Sequence, residues 1–109
     1  FEPFILQIAI ALRKKYPQMK EDQVQDTANQ LCFFEVEKSL LENLVFPVQV
    51  KRYSNKIRTS LQLQNDEGYI SLIYELLYLV PNSIYLVTSR LKGFVDNINL
   101  RGIELNNNG

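Results

Sequence analysis

The residues whose types and spacing could do chemistry are concentrated between positions 51 and 58. Lys51, Arg52, Lys56 and Arg58 put four cations into eight residues, just after the break at Phe46-Pro47. Wound as a helix at about 100° per residue, Lys51, Asn55 and Arg58 form one polar row and Arg52, Lys56 and Thr59 the next. Val50, Tyr53, Ile57 and Leu61 fall on a separate narrow apolar face. One face would then enter a core while the opposite face presents positive charge. That chemistry is recognition of an acidic surface, not bond-making.

Other reactive groups are few. Glu35 falls on an apolar helix face, where a carboxylate is either paired at the core edge or shifted for acid–base work. Nothing near it in sequence supports the second role. Glu37 and Glu42 are expected on other faces of the same helix, so the three carboxylates are not expected to converge on one substrate. Cys32, the single cysteine, is read as a small core residue off the centre of that face.

The missing types exclude more than the present types suggest. There is no histidine, hence no Ser-His-Asp triad, no Cys-His pair and no imidazole zinc ligand. One cysteine allows neither an intrachain disulfide nor a CxxC metal site. No glycine-rich phosphate loop is present, and oxygen ligands for magnesium or calcium are not clustered. The expectation is therefore a non-enzymatic chain with no cofactor.

Twelve cations balance twelve anions over 109 residues, so any electrostatic role must come from local patches. Nucleic acid is the less favoured partner, because Tyr53 points to the apolar side and leaves the basic row without a stacking platform. No membrane role is expected: the most apolar run, Tyr69 to Val80, contains Glu75 and is too short to span a bilayer. That run could instead pack against another copy, giving a homo-oligomer. The chain begins at Phe1, not Met, as a piece cut from a longer protein would.

The elements that must position these residues read as helices. Phe4 to Tyr16 is predicted helical, with Pro3 in its first turn, Pro17 stopping it and Arg13, Lys14 and Lys15 at its end. Its apolar residues, Ile10 included, cover most of the circumference, so it should pack on more than one side. Glu21 to about Leu44 is predicted as the longest helix, with Val24, Thr27, Ala28, Leu31, Phe34, Leu41 and Val45 on its core face. Val48 to Gln64 is the basic third element, and Asn65-Asp66-Glu67-Gly68 a turn.

Tyr69 to Val80 is predicted as a central buried helix. Ser83 is placed as the N-cap of a helix from Ile84 to about Phe94, with a short strand at 84–88 as the alternative. Ile84, Val87, Leu91 and Phe94 share its core face, and Arg90 and Lys92 do not. The fold expected is an all-α bundle of three to five helices in one domain, residues 1–105, with 106–109 a disordered tail.

The order of these residues resembles a known family. Ile8-Ala9-Ile10-Ala11-Leu12-Arg13, then Ala28, then Phe34-Glu35, then Arg52-Tyr53-Ser54-Asn55-Lys56-Ile57-Arg58-Thr59 is similar to the central domain of transcription elongation factor TFIIS and of TFIIS-like transcription regulators. There the third helix resembles KYKNRIRS. Val80-Pro81-Asn82-Ser83-Ile84 looks like the family's I-x-P-x-x-L segment. The resemblance implies a nuclear helical bundle that docks on RNA polymerase II. By position its polymerase-facing residues would be Lys51, Arg52, Asn55, Lys56 and Arg58. The Asn-Pro that follows the third helix in the family is absent, and so is the zinc ribbon that supports transcript cleavage in TFIIS itself. A second likeness, carried by Ala28, Phe34-Glu35, Tyr53 and Ile57, is to KIX-type coactivator domains, which bind activator helices in an apolar groove.

Overall fold

A computed structural model describes residues 1–43 and 67–101. Among them the chain forms four α-helices and no strand: α1 (Glu2–Lys15), α2 (Glu21–Glu42), α3 (Glu67–Leu79) and α4 (Ser83–Arg101). This is a small all-α bundle. The expected third element, Val48 to Gln64, and the expected tail lie outside the described residues.

α1 starts where the sequence supplies a start. The Phe1 carbonyl accepts the N–H groups of Phe4 and Ile5, both at 3.1 Å. Glu2 and Pro3 occupy the first turn, the positions where an anion and a missing N–H cost least. Arg13, Lys14 and Lys15 face the negative end of the dipole, and the Tyr16 N–H closes the last turn on Leu12 O at 2.7 Å. A short link returns the chain to Lys20, whose extended backbone lets its carbonyl accept from Val24 N–H at 2.9 Å and opens α2.

The core forms chiefly where α2 meets α1 on one side and α4 on the other, with α1 and α4 also in contact. Ile8 and Leu12 of α1, Val24, Val36 and Leu40 of α2, and Leu91 of α4 are its fully enclosed centre. α1 does pack on more than one side, against both α2 and α4. Ile10, however, is about half exposed, because it points away from both neighbours.

The core face of α2 differs from the expected one. Val24 and Ala28 are buried as predicted, but burial then follows Cys32, Val36 and Leu40 at four-residue steps. Such a row drifts about 40° per step around the helix, so the buried face winds from α1 towards α4. Phe34, placed in the core by periodicity, is left 44% exposed, and Cys32 sits at the centre, with no exposure. Apolar residues occur all round α2, so periodicity alone could not select the face.

α3 is a flanking helix and not a central one. It packs on α2 and α4 through Leu72, Ile73, Leu76 and Leu77, and exposes Tyr74, Tyr78 and Leu79. Tyrosine tolerates exposure better than phenylalanine because its hydroxyl can hydrogen-bond to water. Phe1 fastens α3 to α2: its ring stacks on Tyr74 at 6.2 Å and meets Phe33 edge-on at 5.8 Å.

The corner after α3 corrects a capping assignment. Asn82 takes a left-handed backbone, φ 60°, and its carbonyl accepts the Leu86 N–H at 3.1 Å. Asn is among the few residues that adopt this conformation readily. Ser83 is therefore not the N-cap. Its buried hydroxyl donates back to Leu77 O at 2.5 Å, tying the last turn of α3 to the first of α4. α4 is a helix, not a strand, and it continues past Gly93 to Arg101 because Val95 and Ile98 are buried. That burial outweighs the cost of about 1 kcal/mol for a glycine inside a helix. No single described helix is long and apolar enough to cross a membrane, and the pair Ile70–Leu79 and Ser83–Ile98, which passes by length and composition together, is bent by 120°.

Candidate functional site

The residues predicted to face a partner, Lys51, Arg52, Asn55, Lys56 and Arg58, lie outside the described residues. What the bundle does define is the polar junction where the end of α2 meets α4. Arg90 Nε donates to Glu35 Oε2 at 3.0 Å, and Arg90 Nη1 donates to Glu42. Lys38 Nζ lies 3.6 Å from Glu35 Oε1 and 5.1 Å from the centroid of the Phe34 ring. Both oxygens of Glu35 thus face a cation.

Helical geometry produces this arrangement. Glu35 and Glu42 are seven residues apart, two turns of α2, so they stand one above the other on the side next to α4. The expectation that Glu42 lies on a different face is corrected here. Glu37 does lie elsewhere, on the opposite side, and is buried. Arg90 flanks the buried row of α4, as the sequence indicated, and reaches across to both acids. The signal that could have found the pair was the seven-residue spacing of the acids. The identity of their partner depended on how α2 and α4 pack.

The environment separates Glu35 from Glu42. The side chain of Glu35 is only 16% exposed and that of Glu42 is largely in water. Burial works against the charge on Arg90, but hydrogen bonds to Glu35 and Glu42 outweigh it and raise the guanidinium above its ordinary pKa. One guanidinium shared between a shielded carboxylate and a more exposed one is a positioning device for two helices.

A second ion pair closes the other end of α2. Arg13 Nε and Nη2 donate to Glu21 Oε1 and Oε2 at 2.9 and 2.7 Å, a two-point contact from α1 to the first residue of α2. The Arg13 hydrogen bond, helped by one from Gln25, holds the Glu21 carboxyl down at about 2. Cys32 is enclosed by apolar neighbours, and burial pushes its thiol up to about 11. That keeps it protonated and unreactive at neutral pH. Among the described residues no group of three or more Cys, Asp or Glu side chains could hold a metal ion. Every buried side-chain nitrogen and oxygen described has a hydrogen-bond partner.

Compared with known protein families, characterised proteins and solved structures, the chain matches none of them.

Proposed function

We propose that this chain is a non-catalytic protein-docking domain of a transcription factor, acting in the nucleus on RNA polymerase II. Lys51, Arg52, Asn55, Lys56 and Arg58 are its polymerase-facing residues. The observation that favours docking over catalysis is how the bundle uses its shielded acid. Glu35 has one oxygen against Arg90 and the other against Lys38, whereas a general acid or base needs an oxygen within reach of the substrate.

Arg13 and Arg90 are committed to carboxylates of the bundle itself. The segment from 51 to 58 concentrates four cations and also carries the likeness to the TFIIS central domain. Cations of this kind at an interface speed encounter with an acidic partner and fix its register. No cofactor takes part. Capture of RNA polymerase II by the wild-type chain, compared with a charge-reversed Arg52/Lys56/Arg58 variant, tests the proposal.

A further inference from the structure

Among the described residues, the corner between α3 and α4 leaves a second surface uncovered. Tyr78 is 90% exposed and Tyr85 75%, with Leu79, Ile84 and Tyr74 each about half exposed. Tyr78 and Leu79 end α3, Ile84 and Tyr85 lie in the first turn of α4, and only Val80, Pro81, Asn82 and Ser83 separate them. Tyr74 lies one turn below Tyr78 on the same side of α3. Ile84 is the informative member. It belongs by period to the core side of α4, yet it is left 58% exposed.

We infer that this corner is a self-association surface, through which two copies of the chain pair about a two-fold axis. Three observations select a second copy as the occupant. The first is area. Taking about 200 Å² per side chain as an upper value, the exposed fractions of the five residues add up to on the order of 600 Å², tyrosine hydroxyls included. That is at the upper end for the largest apolar patch of a monomer, about 300–600 Å². It approaches the roughly 800 Å² per partner of a standard interface.

The second is charge. Exposed Glu75 borders the patch on α3, and exposed Lys92, two turns after Tyr85 on the same side, borders it on α4. A surface with an anion at one end and a cation at the other is complementary to itself under a two-fold rotation. The third is the balance of twelve cations and twelve anions, which leaves no long-range repulsion between copies. A lipid surface fits less well, since Glu75 and Ser71 are exposed on the same flank of α3 as the tyrosines. The pairing is independent of polymerase docking and is measured without polymerase.

Sedimentation equilibrium of the full chain from about 5 to about 500 µM, where small interfaces dissociate, reads the association directly. The wild type should rise from the monomer mass towards twice that mass. Tyr78→Lys, with an unchanged circular dichroism spectrum, should need at least about tenfold more protein to do so. Leu6→Lys, on the outer side of α1, should associate like the wild type. A wild type that stays monomeric throughout overturns the inference, as does a Tyr78→Lys chain that dimerises equally well. So does a monomer that floats with phosphatidylcholine vesicles, which would assign the corner to lipid.

Discussion

Arg90 on α4 and Glu35 on α2 are 55 residues apart in the chain and joined at 3.0 Å in the fold. The contact is sheltered at the acid and partly open at the guanidinium. Its geometry fixes the register of α4 along α2, because the same guanidinium also reaches Glu42 one pair of turns further on. Removing the arginine would take from Glu42 the cation it contacts and leave Glu35 with Lys38 only.

Arg90→Ala is therefore expected to destabilise the bundle by about 1–2 kcal/mol, within the range for hydrogen bonds to charged groups. For a domain of this size that lowers the thermal midpoint by roughly 4–15 °C. Arg90→Lys should recover part of the loss, since it restores the charge but not the two-point fork. Thermal unfolding followed by circular dichroism checks both variants. Equal melting of Arg90→Ala and wild type would remove the junction from the account of stability.

The α1–α2 tie should be acid-sensitive. The Glu21 carboxyl is held at about 2 against an ordinary 4.5, first by the Arg13 hydrogen bond and then by Gln25. A depressed carboxylate contributes stability above its unfolded value and loses it as pH falls through the folded value. The contribution of this pair is thus present at neutral pH and fades between about pH 4.5 and 2. Because the pair is exposed, Glu21→Gln should melt only slightly below wild type at pH 7. The two chains should converge near pH 2, and a difference that grows on acidification would contradict the assignment.

Cys32 should be a silent thiol. Burial raises it to about 11, so a thiol-specific chromogenic disulfide at pH 8 should label the native chain only through transient opening. Full labelling should appear at once in denaturant. Cys32→Ala, a small apolar replacement, should cost less than Cys32→Asp, which buries a charge without a partner. Rapid labelling of the native chain would mean that the core around Val36 and Ala28 opens far more than its packing implies.

Much of the bundle was legible in the sequence, because helix starts and stops are local. Pro3 and Pro17 bracket α1, Glu21 and Asp22 open α2, and Pro81-Asn82 turns α3 into α4. What could not be read is which side of a helix its neighbours cover. Phe34 fell outside the buried face, and Cys32, expected in the core but off its centre, stands at the centre, because apolar residues occur all round α2 and its buried row winds from α1 to α4. Ile84 fits the period of the core face but is left 58% exposed. Ser83 has the chemistry of a cap, yet its hydroxyl is used across the corner on Leu77, a contact set by tertiary packing. The Arg90 junction failed to show for the same reason: α2 supplies two acids at a two-turn spacing, and only the fold brings a cation to them. The basic residues at 51–58 were singled out by charge density, by helical spacing and by the likeness to the TFIIS central domain, and they lie outside the described residues.

The most direct test of the docking proposal uses purified RNA polymerase II, the wild-type chain and an Arg52→Glu/Lys56→Glu/Arg58→Glu variant whose circular dichroism spectrum matches the wild type. The proposal predicts that the wild type is retained on the polymerase and the variant is lost, with thermal midpoints that stay close because surface substitutions shift stability by only about 0.5 kcal/mol. Adding salt should weaken retention of the wild type, as expected for an interface led by charge. Failure of the folded wild type to bind polymerase, or equal binding by the variant, would contradict it.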